Sequence, residues 1–288
     1  MTIQQAYQQL FQDLFTIYES REAANIADLV IEKITGQQRL NRILYKDISV
    51  NAEQQSVLEK MTRELVQHKP VQYAIGEAWF MDMKLMVNEH VLIPRPETEE
   101  LVDWLVRDVK TSKMDDISVL DIGTGSGCIP IAVKKNIPHG EVWSVDVSEE
   151  ALQLAKRNAA GQNVLVDFLL INILEETSWN QLGQFDIIVS NPPYIKQSEK
   201  AAMQRNVLDF EPHIALFVLD EDPLLFYHTI VHFCQKHLKK NGRLYVEINE
   251  VFGMQVTKIF SQNGFTQVEL RKDMQGKDRM IKALKADS

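Results

Sequence analysis

The chain has 288 residues, 45% hydrophobic and 25% charged, which is the composition of an ordinary globular protein of about two domains. Its 31 basic and 40 acidic side chains give a net charge of −9, which disfavours phosphate-based affinity because such binding needs clustered positive charge. No apolar run is long enough to span a membrane, and the N-terminus lacks the features of a signal peptide. Cys128 and Cys234 fit neither a disulfide framework nor a zinc site, so the expected location is the cytoplasm.

The N-terminal part of the chain, residues 1–71, has helical patterning. Thr2 with Gln5 and Asn51 with Gln54 fit capping boxes at the starts of two helices. Apolar residues recur at helical spacing in four segments. These are Ile3, Ala6, Tyr7, Leu10, Phe11 and Leu14; Ile26, Leu29, Val30 and Ile34; Leu40, Ile43 and Leu44; and Val57, Leu58, Met61 and Leu65. The pattern predicts a small helical bundle.

The patterning changes after this segment. Residues 72–93 contain alternating apolar residues from Tyr73 to Val87, including Ile75, and predict a β-hairpin that links two domains. A stiff loop, Pro94–Glu100, then introduces a helix and the larger domain, residues 94–288.

Strands and helices alternate along the larger domain. Seven short apolar runs are separated mostly by helical patterns or turns, and this alternation predicts an α/β fold with a mostly parallel sheet. The runs cover residues 117–122, 142–147, 164–171, 185–189, 244–248, 265–270 and 279–284. The last two have no helix between them, so we expect them to pair antiparallel.

Two sequence features indicate a nucleotide-like ligand at the carboxyl ends of these strands. Residues 121–127 read DIGTGSG after the first strand, and Asp146 closes the second. Glycines permit close backbone approach to a ligand, and an acid at this point can accept hydrogen bonds from a ribose diol. The loop is neither the dinucleotide fingerprint nor a P-loop. The alternatives are a turn without a ligand and a solvated acid, but together the features favour an adenosine-containing ligand.

A third motif follows the fourth strand of the sheet. Asn191, Pro192, Pro193 and Tyr194 combine an amide oxygen, outward carbonyls and a flat ring. Two neighbouring acceptors could hold a planar NH2 group while the ring stacks on it. The alternative is a rigid exposed turn.

These motifs together resemble the peptide chain release factor glutamine N5-methyltransferases, which are Rossmann-like, S-adenosylmethionine-dependent enzymes. NPPY resembles the motif of methyltransferases that act on amino or amide nitrogens. Three further segments match this family, and the resemblance covers nearly the full length. They are the PRPETE loop at 94–99, Phe210–Glu211–Pro212 and Gly276–Lys277–Asp278–Arg279.

The resemblance implies a site and a reaction. Five loop residues would surround the methionine end of the cofactor: Gly123, Thr124, Gly125, Ser126 and Gly127. Asp146 would hold the ribose and Asn172 would lie near the adenine, where the family often has an acid. Asn191 to Tyr194 would hold the glutamine of the Gly-Gly-Gln tip of release factors, beside the cofactor. S-adenosylhomocysteine would be the product.

The sequence also fits two other functions. NPPY also occurs in enzymes that methylate exocyclic amino groups of DNA or RNA, and a non-enzymatic cofactor-binding or scaffold protein is a third reading. The acidic net charge favours a protein substrate, and we expect a monomer without direct nucleic-acid or membrane partners. The helical bundle is a candidate docking module. His228 and His232 lie four residues apart but lack further ligands, so no metal site is expected.

Overall fold

The protein is described by a computed structural model that covers residues 1–112 and 116–287. The chain divides into two compact units. The helical unit comprises Met1–Glu77 with Gln204–Phe210, and the sheet unit comprises Ala78–Met203 with the rest of the chain from Glu211. Most of the predicted hairpin region, from Ala78 onward, lies in the sheet unit, and the predicted boundaries at residues 71 and 93 remain predictions.

The elements, in chain order, are α1 (Ile3–Phe15), α2 (Ser20–Thr35), α3 (Arg39–Leu44), α4 (Ala52–Leu65), α5 (Val71–Ile75), β1 (Glu77–Phe80), β2 (Met83–Met86), α6 (Pro96–Ser112), β3 (Ser118–Ile122), α7 (Cys128–Asn136), β4 (Glu141–Asp146), α8 (Glu149–Gly161), β5 (Asp167–Leu170), β6 (Phe185–Ser190), β7 (Ile195–Lys196), α9 (Arg205–Phe210), β8 (Phe217–Val218), α10 (Leu225–His237), β9 (Leu238–Glu247), α11 (Gly253–Gln262), β10 (Phe265–Lys272) and β11 (Asp278–Lys285). None of the helices in the described ranges is long and apolar enough to cross a bilayer.

The helical unit forms where the sequence predicts it. Both capping boxes are present, at Thr2 for α1 and at Asn51 for α4. The buried stripes of α1, α2 and α4 pack into one hydrophobic cluster. Leu40, Ile43 and Leu44 behave differently, because α3 forms but leaves all three side chains exposed.

One strand prediction in this part of the chain is wrong. Tyr73 and Ile75 lie in α5, which ends at Gly76 with φ 72°. A five-residue segment spans little more than one helical turn, which is too short for apolar spacing to distinguish a helix from a strand. The hairpin itself is confirmed as β1 and β2.

The predicted α/β fold is confirmed. Seven strands form a sheet in the order β10-β11-β9-β6-β3-β4-β5, and β11 is antiparallel to both its neighbours. Two hydrophobic clusters take alternate residues from the same strands, as with Val119 and Leu120 on β3 or Ile187 and Ile188 on β6. Alternate residues of a strand point to opposite faces, so both faces of this sheet are covered by apolar side chains.

The order of the strands places the sequence motifs side by side. From β3 the chain proceeds through β4 to β5 on one side, and then returns to add β6 on the other side of β3. In this parallel pair Ile122 lies opposite Ser190. The segments that follow, the glycine loop and NPPY, therefore leave the sheet together at its topological switch point, where ligands of such folds bind.

Gly127 has a packing role at the start of α7. Its φ is 81°, and a Cβ there would lie 3.0 Å from Ile131 Cδ1 and 3.1 Å from Ala155 Cβ. We expect Gly127→Ala to lower the free energy of unfolding of the sheet unit by about 1–3 kcal/mol, because it adds backbone strain and crowding.

Chemical unfolding followed by tryptophan fluorescence checks this prediction, because all four tryptophans lie in the sheet unit. Gly183→Ala is the matched control, since that glycine has open space around it and no positive φ. Equal losses in the two variants would contradict the packing role.

Candidate active site

A cavity of about 250 Å³ lies in the sheet unit at the carboxyl ends of the central strands. Residues 122–126 after β3, 145–148 after β4 and 190–193 after β6 contribute to its walls. Residues 171–174 after β5 and parts of the loop at 90–98 complete much of the lining. The cavity thus brings together most of the residues that the sequence analysis selected.

The glycine loop presents bare backbone at the cavity. Gly123 and Gly125 have φ values of 86° and 52°, and apart from the glycine and its two chain neighbours no heavy atom of the described residues lies within 4 Å of where a Cβ would stand on either. The N–H groups of Gly123 and Thr124 both donate to the carbonyl of Val145, at 2.9 and 3.1 Å, and this fixes the loop against β4. Gly127 is not part of the lining.

Asp146 braces the same loop and also lines the cavity. Its Oδ2 accepts from the N–H of Gly125 and its Oδ1 from the N–H of Ser148, each at 2.9 Å. A carboxylate has about four lone-pair positions, so it retains acceptor capacity for hydroxyl groups. Burial raises the pKa of Asp146, although the backbone hydrogen bonds act in the opposite direction.

Three buried polar atoms near this loop lack a hydrogen-bond partner in the described part of the chain. They are Oδ1 of Asp121, Oγ1 of Thr124 and Oγ of Ser126. Such atoms cost about 1–3 kcal/mol each when they stay unpaired. Thr124 and Ser126 line the cavity, so a polar ligand lying along the glycine loop would find unused partners there.

Asp121 is the first residue of the DIGTGSG motif, and the sequence pattern did not predict a role for it. It is fully buried behind the loop, and the Ser144 hydroxyl donates to its Oδ2 at 2.6 Å. Burial, with a smaller contribution from the charge of Asp146, raises the pKa of Asp121 to about 7. A nearby ligand cation would stabilise its ionised form, which burial otherwise disfavours.

The NPPY segment divides between the cavity and the core. Asn191, Pro192 and Pro193 line the cavity, and Nδ2 of Asn191 donates to Oγ1 of Thr98 at 3.0 Å. Tyr194 is not among the lining residues, and its hydroxyl donates to Oε1 of Glu247 at 2.9 Å. The structure therefore does not bring the Tyr194 ring to the cavity wall.

The PRPETE segment is held by Glu211 from the Phe-Glu-Pro motif. Arg95 Nη2 pairs with Oε1 of Glu211 at 2.6 Å, and Oε2 of Glu211 accepts from the N–H of Ile93 at 3.2 Å. Glu211 is buried, while Arg95 lines the cavity. The Phe-Glu-Pro motif thus supplies the carboxylate that shapes this part of the wall.

Asn172 lines the cavity, but its side chain is already partnered within its own turn. Nδ2 donates to Oε1 of Glu175 at 2.9 Å, and Oδ1 accepts from the N–H of Leu174 at 3.1 Å. Its oxygen has a second lone pair, which is the acceptor position left for a ligand.

Other reactive side chains have ordinary structural roles. Burial raises the pKa of the Cys128 thiol to about 12, so it stays protonated although it lines the cavity. Nε2 of His232 contacts Oε2 of Glu176 at 3.0 Å. No group of three or more His, Cys, Asp or Glu residues suited to a metal ion occurs in residues 1–112 and 116–287.

Comparison with known proteins decides the family. Residues 5–76 match the "PrmC N-terminal domain" and residues 101–210 the "Methyltransferase small domain". The release factor glutamine methyltransferase of Flavobacterium psychrophilum is 41% identical, over 98% of this chain and 99% of that protein. The chain belongs to the release factor glutamine methyltransferase family.

Further comparisons agree with this membership. The release factor glutamine methyltransferase of Bacteroides thetaiotaomicron is 40% identical, over 94% of this chain and 96% of that protein. The crystal structure of a methyltransferase from Pyrococcus furiosus aligns with 79% of this chain and 99% of its own, with a TM-score of 0.51. At 18% identity that likeness shows the shared fold alone.

Asp121 makes the stability of the sheet unit depend on pH. Its raised pKa means that the folded state keeps a proton that the unfolded chain releases near pH 4, so stability falls as pH rises from about 4 to 7. Asp121→Asn removes this titration while leaving an acceptor for Ser144. We compare the unfolding free energy of the variant with that of wild type at each pH. The difference should shift in favour of the variant by on the order of 2–3 kcal/mol from pH 5 to pH 8.

Urea unfolding of both proteins at pH 5 and pH 8, followed by tryptophan fluorescence, measures this difference. A constant offset between variant and wild type at the two pH values would refute the role given to Asp121.

Proposed function

We propose that this chain transfers a methyl group from S-adenosylmethionine to the side-chain amide nitrogen, N5, of the glutamine in the Gly-Gly-Gln motif of peptide chain release factors. The observation that carries the proposal is the shared cavity, in which the glycine loop and Asp146 lie beside Asn191 and Pro192. A cofactor site and an acceptor for an amide NH2 group are thereby adjacent. The names of the curated relatives support the choice of substrate.

The residues of the cavity fit S-adenosylmethionine. When bound, this cofactor supplies an activated methyl group on a positively charged sulfur. The open backbone of Gly123 and Gly125 and the unpaired hydroxyls of Thr124 and Ser126 suit its amino-acid end. Asp146 has acceptor capacity left for the ribose hydroxyls. Asn172 lies where the adenine is expected, and Gly127 supports the loop through packing.

Asn191 and Pro192 position the amide group of the substrate. An amide nitrogen is a poor nucleophile because its lone pair is delocalised, so its alignment matters. The side-chain oxygen of Asn191 and the carbonyl of Pro192 accept the two amide hydrogens and hold the nitrogen in place. They also stabilise the positive charge that develops there. Pro193 keeps the segment rigid, and Tyr194 anchors it to Glu247.

The remaining predictions concern partners and location. Release factors are the protein substrate in this proposal, and the helical unit is the candidate docking module. We expect a cytoplasmic monomer. Methylation of a DNA or RNA amino group is the alternative reaction, and a binding protein without catalysis is the third reading.

Mass spectrometry tests the proposed reaction directly. Purified release factor is incubated with the full chain and S-adenosylmethionine and then digested with a protease. We expect the peptide that contains Gly-Gly-Gln to gain the mass of one methylene group, with the change on the glutamine. Methyl incorporation into DNA or RNA instead would favour the alternative, and no transfer to any acceptor would favour the binding protein.

Asn191→Ala removes one half of the substrate clamp. We expect kcat for release factor methylation to fall by about 100-fold, because the amide nitrogen is no longer aligned. The Kd of S-adenosylmethionine, measured by calorimetry, should change much less. Near-normal turnover in this variant would rule out the clamp.

Asp146→Ala tests the cofactor site. We expect the Kd of S-adenosylmethionine to rise about tenfold or more, because the variant loses both the ribose acceptor and the brace on Gly125. Asp167→Ala is the control, since Asp167 is an exposed acid at the start of the neighbouring strand β5. An unchanged Kd in Asp146→Ala would refute the assignment.

A further inference from the structure

A chain of polar side chains runs from the cavity wall into the core of the sheet unit. Nδ2 of Asn191 donates to Oγ1 of Thr98 at 3.0 Å, and the Thr98 hydroxyl donates to Oε2 of Glu247 at 2.7 Å. Oε1 of Glu247 accepts from the hydroxyl of Tyr194 at 2.9 Å. Thr98 is 2% exposed and Glu247 is 1% exposed.

The Glu247 carboxylate sets the direction of each hydrogen bond in this series of side chains. An ionised carboxylate only accepts, and both oxygens of Glu247 accept from hydroxyl groups. Burial raises the pKa of Glu247, while the hydrogen bonds from Thr98 and Tyr194 and the positive charge of Arg279 act in the opposite direction. The Thr98 hydrogen is therefore committed to Glu247, which leaves a lone pair that can only accept.

That commitment selects one of the two orientations of the Asn191 amide. An asparagine side chain has nearly the same shape with its oxygen and nitrogen exchanged, so packing alone does not distinguish them. The Thr98 lone pair requires the NH2 group of Asn191 on its side. The Asn191 oxygen, which accepts no hydrogen bond from the described residues, is left for the cavity.

We propose that Thr98 and Glu247 are positioning residues that lock the Asn191 amide with its oxygen available to the substrate. This inference rests on the proposed function, since an amide NH2 group needs an acceptor at this place. The reversed amide would present N–H groups to the N–H groups of the substrate. Thr98, in the first turn of α6, and Glu247, at the end of β9, thus act on the reaction through Asn191.

A buried carboxylate calls for such a role, because burial of an ionised group is costly unless hydrogen bonds satisfy it. Glu247 lies at the end of β9 with 1% of its surface exposed. A hydrophobic residue there could not orient a hydroxyl group.

Thr98→Val tests the proposal, since valine keeps the shape of threonine and removes the hydroxyl. We expect kcat for release factor methylation to fall about tenfold, with KM for the release factor and Kd for S-adenosylmethionine within about twofold of wild type. Thr98→Ser restores the hydroxyl and should restore most of kcat. Thr111→Val is the matched control, because Thr111 lies on the same helix and its hydroxyl, among the described residues, donates to the carbonyl of Arg107 alone.

Glu247→Gln tests the source of the direction. In one of its orientations the glutamine amide donates to Thr98, so the Thr98 hydroxyl is released to donate to the Asn191 oxygen. We expect a fall in kcat of about tenfold with little change in Kd for the cofactor. An unchanged kcat would remove Glu247 from the proposal.

Side-chain amide exchange gives a readout that does not depend on activity. The Asn191 NH2 resonances of the full-length protein are identified by their absence in Asn191→Ala. Their exchange with water should quicken in Thr98→Val but not in Thr98→Ser, because a hydrogen-bonded NH2 group exchanges slowly. Equal exchange in all forms, or a kcat in Thr98→Val equal to wild type, would overturn the positioning role.

The two proposals can fail separately. A wild-type protein that does not methylate release factor would refute the proposed function, while the exchange measurement would still test the locked amide. If Thr98→Val damaged the fold, it would bind the cofactor more weakly and its tryptophan fluorescence would change. Thr98→Ser would then not regain the wild-type kcat.

Discussion

The parallel pairing of β3 with β6 is the constraint on which the rest of the site depends. Ile122 lies opposite Ser190, so the glycine loop and the NPPY segment start from neighbouring points on one sheet edge. A shift of this register by one residue would move one segment along the sheet edge and turn every side chain of its strand to the other face. The pairing thus sets the distance between the two segments, and the motifs supply the polar groups of the cavity.

The sheet unit also contains buried acidic side chains near the cavity. Asp121, Glu211 and Glu247 are each almost fully removed from solvent, and Glu211 and Glu247 are each hydrogen-bonded to a residue of the cavity wall. Glu211 holds the loop at Ile93 and Arg95, whereas Glu247 holds Thr98. Uncompensated burial of a charge is destabilising, so these carboxylates exchange some stability for fixed geometry at the site. Asp121 has the least compensation, since one of its oxygens has no hydrogen-bond partner among the described residues.

Family membership and the geometry of the cavity address different questions. The relatives establish which family the chain belongs to, and the fold comparison alone would not have separated it from other methyltransferases. The cavity gives the physical reasons for the motif residues, such as Glu211 in the Phe-Glu-Pro segment. It also separates residues that the motif groups together, because Gly127 and Tyr194 have packing and anchoring roles while their neighbours line the cavity.

The sequence alone determined the helical stripes and caps, the alternation of strands and helices, and the motifs, since these depend on residues close together in the chain. It failed where local pattern was ambiguous, as at Tyr73 and Ile75, or where burial depends on distant partners, as at the exposed apolar residues of α3. Only the tertiary structure showed that Thr98 and Glu247, 149 residues apart, share a hydrogen bond. The physical reason is that periodicity reports which side of an element is apolar, whereas side-chain hydrogen bonds depend on how the elements assemble.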